Sequence, residues 1–243
     1  IPIFSTQASN VKITSSHSPN AFRTAAIDPD RAEAWVGFFQ QQGLKKIGII
    51  AENTDYGVGL VNLLKTFNKE RSLGLSLKPF IFDKNSRDIT PQLLQIKNWG
   101  ADVVINIGVG DVAYLIVKQA YDIKLFPETP MVASFDWPSQ PIFWKNLGSK
   151  GNYLTYISYG HPKQKLTAMG EWFKAEFEKR YNDAPIFGAS NAFGQIVMIA
   201  EAIYHAGSAD PAKIMKALED YHYDNFNGPV KFNRAKGARW HQS

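Results

Sequence analysis

The feature of this sequence that most restricts its fold is a strand–loop–helix pattern that recurs along the chain. Its clearest copy is KIGIIAENTDYGVG, at residues 46–59. A short apolar run at 47–51 gives way to polar residues and then to apolar residues at helical spacing, which predicts a strand, a loop and a helix. In an open parallel sheet, a ligand meets backbone amides and helix N-termini where the loops leave the carboxyl ends of the strands. The pattern therefore predicts both a fold and the edge of the sheet that a ligand would use.

Residues 26–157 repeat this unit as alternating strands and helices. Residues 101–107, ADVVINI, form an almost continuous apolar run, which is typical of a strand covered on both faces. Asp28 and Pro29 predict the start of a helix that Gly43 ends. This alternation predicts an α/β protein with a doubly wound parallel sheet.

The rest of the chain follows a different pattern. Helices are predicted to begin at Lys163, Gly188 and Pro211, and the second of them is apolar over much of its circumference, which predicts that it is buried. These helices need a sheet to cover them, and the nearest other strand is the apolar run at 1–4, which we expect to be buried. We therefore predict a first lobe made of residues 1–25 and 158–243, and a second lobe made of residues 26–157.

Composition narrows the classes of protein that this chain can represent. Its 243 residues, of which 44% are hydrophobic and 20% charged, suffice for two modest domains that each bury a core. The net charge is +5, but the basic residues are scattered and form no stripe suited to nucleic acid. The absence of cysteine excludes disulfides and thiolate metal sites. The chain starts at Ile1 rather than at methionine, so we interpret it as processed or incomplete, with any signal peptide outside it.

Five segments in order and spacing resemble a known family. They are FRTAAIDPDRAEA, GLKKIGIIAENTDYGVGL, ADVVINIGVGDVAYLIVKQAYD, KAEFEKRYNDAPIFGASNAFGQIVMIAEAI and NGPVKF. Together they resemble the type I periplasmic solute-binding proteins of ABC transporters, in the branched-chain amino acid (Leu/Ile/Val) binding group. The resemblance covers essentially the whole chain.

The resemblance implies a two-lobed, type I periplasmic-binding-protein fold in which crossing strands join two doubly wound sheets and a hinge closes the lobes on a ligand. Residues 22–24 and 155–159 match the crossing strands. The family also implies a periplasmic or extracellular location, with a lipid anchor in some members, and an ABC permease in the membrane as partner. Family members contain further chain before Ile1 and after Ser243, so the first lobe is expected to be incomplete. No cofactor is implied.

Two candidate parts of a binding site come from the resemblance. The loop at Gln7, Ala8 and Ser9 matches the loop that holds the ligand carboxylate through backbone groups and a hydroxyl, which would form charge-assisted hydrogen bonds. The alternative is an ordinary polar loop. Tyr56 matches an aromatic residue that lies over the ligand, where a ring can stack and also donate a hydrogen bond. The alternative is a tyrosine that packs on its own helix.

Further candidates follow the predicted strand at 131–134. Asp136 lies near the acidic residue that receives the ligand ammonium group, although Phe135 occupies that place if the register differs by one residue. The alternative role for Asp136 is to cap a helix. Phe135 and Trp137 suggest an apolar part of the ligand, whereas Val109 stands where some members have a second aromatic. Phe193 matches a first-lobe aromatic position, with helix packing as its alternative role.

Two other functions remain open on the sequence. A ligand-sensing receptor domain shares the same fold. An NAD(P)-dependent oxidoreductase is suggested by Gly108, Gly110 and Ala113, which fit a G-x-G-x-x-A fingerprint after a strand, although Asp111 places a carboxylate where pyrophosphate would bind. No hydrolase, zinc-protease or Walker motif occurs, and the histidines lack metal-ligand spacing. Together with these absences, the resemblance implies a protein without catalysis, metal or nucleic-acid partner that binds an amino acid or a similar small carboxylate.

Overall fold

The computed structural model describes residues 1–15, 20–161 and 163–232. In chain order, its strands are β1 (Ile3–Ser5), β2 (Ala21–Arg23), β3 (Lys46–Glu52), β4 (Ser76–Phe82), β5 (Val103–Ile107), β6 (Met131–Ala133), β7 (Thr155–Tyr156), β8 (Tyr223–Asn225) and β9 (Gly228–Val230). Its α-helices are α1 (Lys12–Ser15), α2 (Asp28–Gln42), α3 (Asp55–Glu70), α4 (Thr90–Trp99), α5 (Asp111–Asp122), α6 (Ile142–Leu147), α7 (Ala168–Tyr181), α8 (Phe187–Ala206) and α9 (Pro211–Asp220). No described helix is both long and apolar enough to cross a membrane.

The chain divides into two compact units. Unit 1 consists of Ile1–Ile27 and Tyr159–Ser243, and unit 2 consists of Asp28–Ser158. The lobe boundaries predicted from the sequence stand at residues 25 and 157. That the two units correspond to the two lobes of the family stays a prediction.

Unit 2 contains a five-stranded parallel sheet in the order β4-β3-β5-β6-β7. The central strand β5 is buried along its whole length, as its continuous apolar run predicts. The edge strand β4 carries Pro79, which has no N–H to donate and is therefore best tolerated at an edge. The predicted α/β class with a doubly wound parallel sheet is confirmed.

Helices cover both faces of this sheet. Trp35 and Phe39 of α2 pack on one face with Ile49 and other strand residues. A second core cluster lies on the opposite face, where α4, α5 and α6 pack against strand residues such as Ile50. Side chains alternate across the pleated strands, so neighbouring residues of β3 belong to different cores.

Unit 1 is smaller and holds a parallel pair, β1 with β2, and an antiparallel hairpin, β8 with β9. Its core surrounds Phe22, whose ring stacks on Phe4 and meets Phe232 edge to face. The expectation of a buried strand at 1–4 was wrong in part, because Ile3 is 62% exposed. Among the described residues β1 pairs with β2 alone.

The long helices of unit 1 differ from their sequence-based predictions. Helix α7 begins at Ala168 rather than at Lys163, because the Thr167 hydroxyl accepts a hydrogen bond from Gly170 N and caps the helix there. Helix α8 was predicted to be buried through its apolar character. In the structure its buried side includes polar residues, whereas Ile196 and Tyr204 are exposed.

Candidate functional site

The carboxyl ends of β3 and β6 in unit 2 bring three predicted site residues together. Thr54 caps α3 by accepting a hydrogen bond from Gly57 N at 3.2 Å, which places Tyr56 in the first turn of the helix. The Tyr56 ring meets the ring of Phe135 edge to face, with centroids 6.3 Å apart. Asp136 is the next residue after Phe135 and is partly buried. The aromatic pair and the carboxyl therefore lie at one edge of the sheet.

Arg31, which the sequence did not single out, is the common neighbour of this group. Its guanidinium carbon lies 5.9 Å from the Tyr56 ring centroid and 5.8 Å from that of Phe135. One guanidinium N–H donates to the Ser134 carbonyl at 2.9 Å, and the Tyr56 hydroxyl donates to Ser134 Oγ at 3.1 Å. Arg31 is 4% exposed, so its charge is sheltered and its cation–π contacts are stronger than at the surface. We call Arg31, Tyr56, Ser134, Phe135 and Asp136 the unit 2 cluster.

Burial governs the ionisation of this cluster. It raises the pKa of the Tyr56 hydroxyl, against the opposing effects of the Arg31 charge and the Ser134 hydrogen bond. Burial also raises the pKa of Asp136 to about 6, although a backbone hydrogen bond and the Arg31 charge lower it in part. Asp136 precedes a short 3₁₀ helix but makes no capping hydrogen bond with its side chain. Its carboxyl is therefore not used as a helix cap, and it changes charge near pH 6.

Asp136→Asn is expected to stabilise the protein at pH 7 by about 1–2 kcal/mol. The rise of the pKa from 3.8 to about 6 corresponds to about 3 kcal/mol at about 1.4 kcal/mol per pKa unit, and solvent screening of the partly exposed carboxyl reduces this value. The pKa of Asp136 in the folded state exceeds that of an unfolded aspartate. The native state therefore binds more protons between about pH 4 and pH 6, and the Asp136 contribution to stability falls as the pH rises through that range. Urea unfolding at several pH values should show a difference between variant and wild type that grows from pH 4 to pH 6.

Asp102→Asn provides the control of opposite sign. Backbone N–H groups of Lys46 and Lys45 donate to the Asp102 carboxylate and lower its pKa. Such a carboxylate stabilises the fold above its unfolded pKa, so its removal should destabilise the protein at pH 7. Equal responses of the two variants would contradict the conclusion that burial disfavours the charged form of Asp136.

Trp137 and Val109, which the sequence also suggested as possible ligand contacts or aromatic positions, lie outside the unit 2 cluster. Trp137 is 3% exposed and packs in the core against Tyr114 and Phe143. We leave Trp137 out of the proposed site, because its ring is occupied by these contacts. Val109 is exposed, and its backbone N–H donates to Glu52 Oε2 at 3.3 Å.

The loop with Gln7, Ala8 and Ser9 lies in unit 1, directly after β1. Gln7 and Ala8 are exposed, and Ser9 is buried. The Ala8 carbonyl accepts hydrogen bonds from the Ser5 hydroxyl at 3.2 Å and from the Arg23 guanidinium at 3.3 Å. Within the described residues, the backbone N–H groups of Gln7, Ala8 and Ser9 make no hydrogen bond. The other described protein groups therefore leave these three donors unused.

Phe193, the last candidate, lies on α8 and packs against α7. Its ring stacks on Phe173 with centroids 4.5 Å apart, and Trp172 lies 5.7 Å away. These contacts account for Phe193 as a residue of helix packing. A direct contact with ligand stays a prediction.

Sequence reasoning also missed Asn191 and Gln195 on α8, whose side chains are buried beside the Gln7–Ser9 loop. The sequence does contain a pattern that could have identified Asn191 and Gln195. They are polar residues four positions apart in a largely apolar helix, so they share one face. For Arg31 no comparable signal exists, because its neighbours Ser134 and Phe135 come from a loop more than 100 positions away.

The candidate metal ligands and the G-x-G segment were compared with what a metal ion or a dinucleotide requires. Across residues 1–15, 20–161 and 163–232, no three His, Asp or Glu side chains are placed to hold a metal ion. In the G-x-G segment, Gly108 N already donates to Asn106 Oδ1 at 3.0 Å, and Val109 N donates to the Glu52 carboxylate. A pyrophosphate would have to displace both bonds and face the charge of Glu52.

A family model described as periplasmic binding protein matches residues 1–243. The Leu/Ile/Val-binding protein homolog 7 of Brucella abortus (strain 2308) is 25% identical in an alignment 235 residues long, and the match covers 90% of this chain and 57% of that protein. The chain therefore spans little more than half the length of this curated relative.

Solved structures share the fold at lower identity. The leucine binding protein LivK from Thermotoga maritima MSB8 superposes with a TM-score of 0.88 at 22% identity, covering 100% of this chain and 68% of that one. A solute binding protein of an ABC transporter from R. palustris, solved in complex with benzoate, gives a TM-score of 0.84 at 18% identity, with coverages of 100% and 66%. The partial coverage of these structures is consistent with the incomplete first lobe that the sequence resemblance implies.

Proposed function

Because the chain belongs to the periplasmic binding protein family, we propose that it is a solute-binding protein of an ABC transporter that captures an amino acid or a similar small carboxylate. The family consists of extracytoplasmic ligand-binding proteins rather than enzymes. The resemblance implies three further parts of this proposal. They are capture of the solute between hinged lobes, an ABC permease as the membrane partner, and attachment through a lipid. A ligand-sensing receptor domain of the same fold is the second candidate.

The observation that carries this proposal is the unit 2 cluster. A small organic solute needs an apolar surface and a few well-placed polar groups, which pockets for such ligands combine. The rings of Tyr56 and Phe135 supply the apolar surface, and the Asp136 carboxyl supplies a polar group that is not used in a helix cap. The buried Arg31 holds both rings, so their arrangement exists before a ligand arrives.

The loop of unit 1 supports a carboxylate as part of the solute. The free N–H groups of Gln7, Ala8 and Ser9 are donors, and donors to a carboxylate form short, strong hydrogen bonds. The relatives fit this chemistry, since one is named for leucine and another was solved with benzoate. Both of those ligands carry a carboxylate, but leucine alone carries an ammonium group.

The pH dependence of affinity tests which of these two ligand types the site prefers. Between pH 5 and pH 7, Asp136 loses its proton, whereas L-leucine and benzoate keep their charges. An ammonium group beside Asp136 should bind more tightly as the pH rises, and a benzoate should bind less tightly because a like charge appears near it. Calorimetric titrations with both compounds at pH 5, 6 and 7 would measure this. Binding of neither compound, nor of any member of a panel of amino acids and organic acids, would contradict the proposed function.

Tyr56→Ala is expected to weaken the binding of such a solute by about 1–3 kcal/mol, because the ring provides stacking area and holds Phe135. The matched control is Tyr153→Ala, since Tyr153 lies in the same unit and is 82% exposed. Titration of the best-binding compound and a thermal melt of each variant separate affinity from folding. Unchanged affinity in Tyr56→Ala would remove Tyr56 from the site.

A further inference from the structure

We propose that Asn191 and Gln195 are positioning residues, which hold the loop after β1 so that its N–H groups face an incoming carboxylate. This inference rests on the proposed function, because it assigns a purpose to a loop that the proposal places in the ligand site. It concerns residues that lie behind that loop, on α8, and that touch no ligand themselves.

The first argument is the burial of the two amides. Asn191 is 2% exposed and Gln195 is 4% exposed, although α8 has many apolar residues that could have faced the interior instead. Burying an amide side chain is unfavourable unless its hydrogen-bonding groups find partners. A helix that buries two amides therefore has its orientation set by hydrogen bonds as well as by apolar packing.

The second argument is where those hydrogen bonds go. Asn191 Nδ2 donates to the Thr6 carbonyl at 2.6 Å, and Gln195 Nε2 donates to the Ser5 carbonyl at 3.2 Å. The Thr6 hydroxyl donates in turn to Gln195 Oε1 at 2.9 Å. Two successive carbonyls at the start of the loop are therefore turned toward α8 and fixed there.

The third argument is that one hydroxyl joins the two amides. Thr24 Oγ1 donates to Asn191 Oδ1 at 2.5 Å and accepts from Gln195 Nε2 at 2.6 Å. Thr24 directly follows β2, the strand that pairs with β1. The amides are thereby held in one orientation, because a rotation of either amide would break bonds at both the loop and Thr24.

Farther along the loop, Arg23 fastens two more carbonyls. Its guanidinium donates to the Ala8 carbonyl and, at 2.6 Å, to the Asn10 carbonyl. With the carbonyls of Ser5, Thr6, Ala8 and Asn10 bonded to buried side chains, the intervening N–H groups are left for an anion. A loop fixed in advance loses little conformational entropy when it binds, which favours affinity.

The test compares Gln195→Met and Asn191→Leu with the wild type. Both replacements keep the size of the side chain and remove its hydrogen bonds. Backbone ¹⁵N relaxation of the ligand-free protein should give order parameters near 0.85 for Gln7, Ala8 and Ser9 in the wild type and below about 0.6 in the variants. Calorimetric titration with L-leucine and with benzoate should show a dissociation constant at least tenfold higher in the variants for whichever compound the wild type binds.

Ile196→Ala is the matched control, since it changes an exposed neighbour on the same helix and should alter neither quantity. Unchanged order parameters in Gln195→Met and Asn191→Leu would overturn the positioning role. A loop that loses order in both variants supports that role even if the wild type binds neither probe, a result that would count against the proposed function alone.

Two substitutions of Thr24 provide a second test if the Asn191 and Gln195 variants do not fold. Thr24→Ser keeps the hydroxyl that joins the two amides, and Thr24→Val removes the hydroxyl while keeping the shape of the side chain. Loop order and affinity should survive in Thr24→Ser and be lost in Thr24→Val. The same behaviour in both would overturn the proposal, because a purely steric role would be shared.

Discussion

Gly57→Ala is expected to lower the free energy of unfolding by about 3 kcal/mol, at the upper end of the usual cost of overpacking. Gly57 is buried in the first turn of α3, and a Cβ atom added there would stand 2.1 Å from the carbonyl oxygen of Glu52. The obstacle is the backbone of β3, so no change of rotamer relieves the overlap. The start of α3, and with it Tyr56, must shift away from the strand.

Gly59→Ala separates this effect from the general consequence of replacing a glycine in a helix. Gly59 lies two residues further along α3, and an added Cβ would meet no atom within 4 Å. Alanine is favoured over glycine in a helix interior, so this variant should gain about 0.5–1 kcal/mol. Urea unfolding of both variants measures the difference. A Gly57→Ala protein as stable as Gly59→Ala would show that α3 does not depend on this close approach.

Gly194→Ala is expected to destabilise the protein by about 3 kcal/mol, which combines overpacking with the loss of buried hydrogen bonds. A Cβ at Gly194 would stand 2.0 Å from Asn225 Oδ1, the atom that accepts a hydrogen bond from Phe226 N at 2.8 Å. The Asn225 amide must therefore rotate away, and its Nδ2 also leaves the Asn191 side chain. As a result, the hairpin of β8 and β9 no longer packs closely against α8.

A double-mutant cycle tests this explanation. In an Asn225→Ala background the obstructing amide is absent, so Gly194→Ala should cost much less than in the wild type, or even stabilise the helix. Thermal or urea unfolding of the four proteins gives the coupling energy. Additive effects would mean that the two positions are independent and that the cost of Gly194→Ala lies elsewhere.

The arrangement of unit 2 illustrates how far local patterns reach. The strand–loop–helix unit at 46–59 became β3 and α3 within a few residues of the predicted bounds, and the run at 101–107 became the buried central strand β5. The helix predicted to begin at Pro211 does begin there, and Asp210 caps it by accepting hydrogen bonds from the N–H groups of Ala212 and Lys213. Caps and periodicity act over a few residues, so their information is present in any short segment.

Unit 1 shows what such local patterns do not predict, namely which face of an element is buried. Apolar content predicted a buried α8 and a buried first strand, yet α8 buries Asn191 and Gln195 and exposes Ile196. Hydrophobicity indicates that a face can be buried, but the partner elements decide which face is. In unit 1 those partners are the polar groups of the loop after β1 and of Thr24.

By itself, the sequence determined the order and kind of the main elements, the parallel sheet of unit 2 and the family, and it pointed to Tyr56, Phe135 and Asp136. Tertiary structure alone decided that Arg31 lies beside the rings of both Tyr56 and Phe135, that Trp137 belongs to the core, and that Thr6 meets Gln195 from 189 positions away. The physical reason is range: a helix or strand is selected by neighbours in the chain, whereas a binding site depends on side chains that only the packing of distant elements brings together.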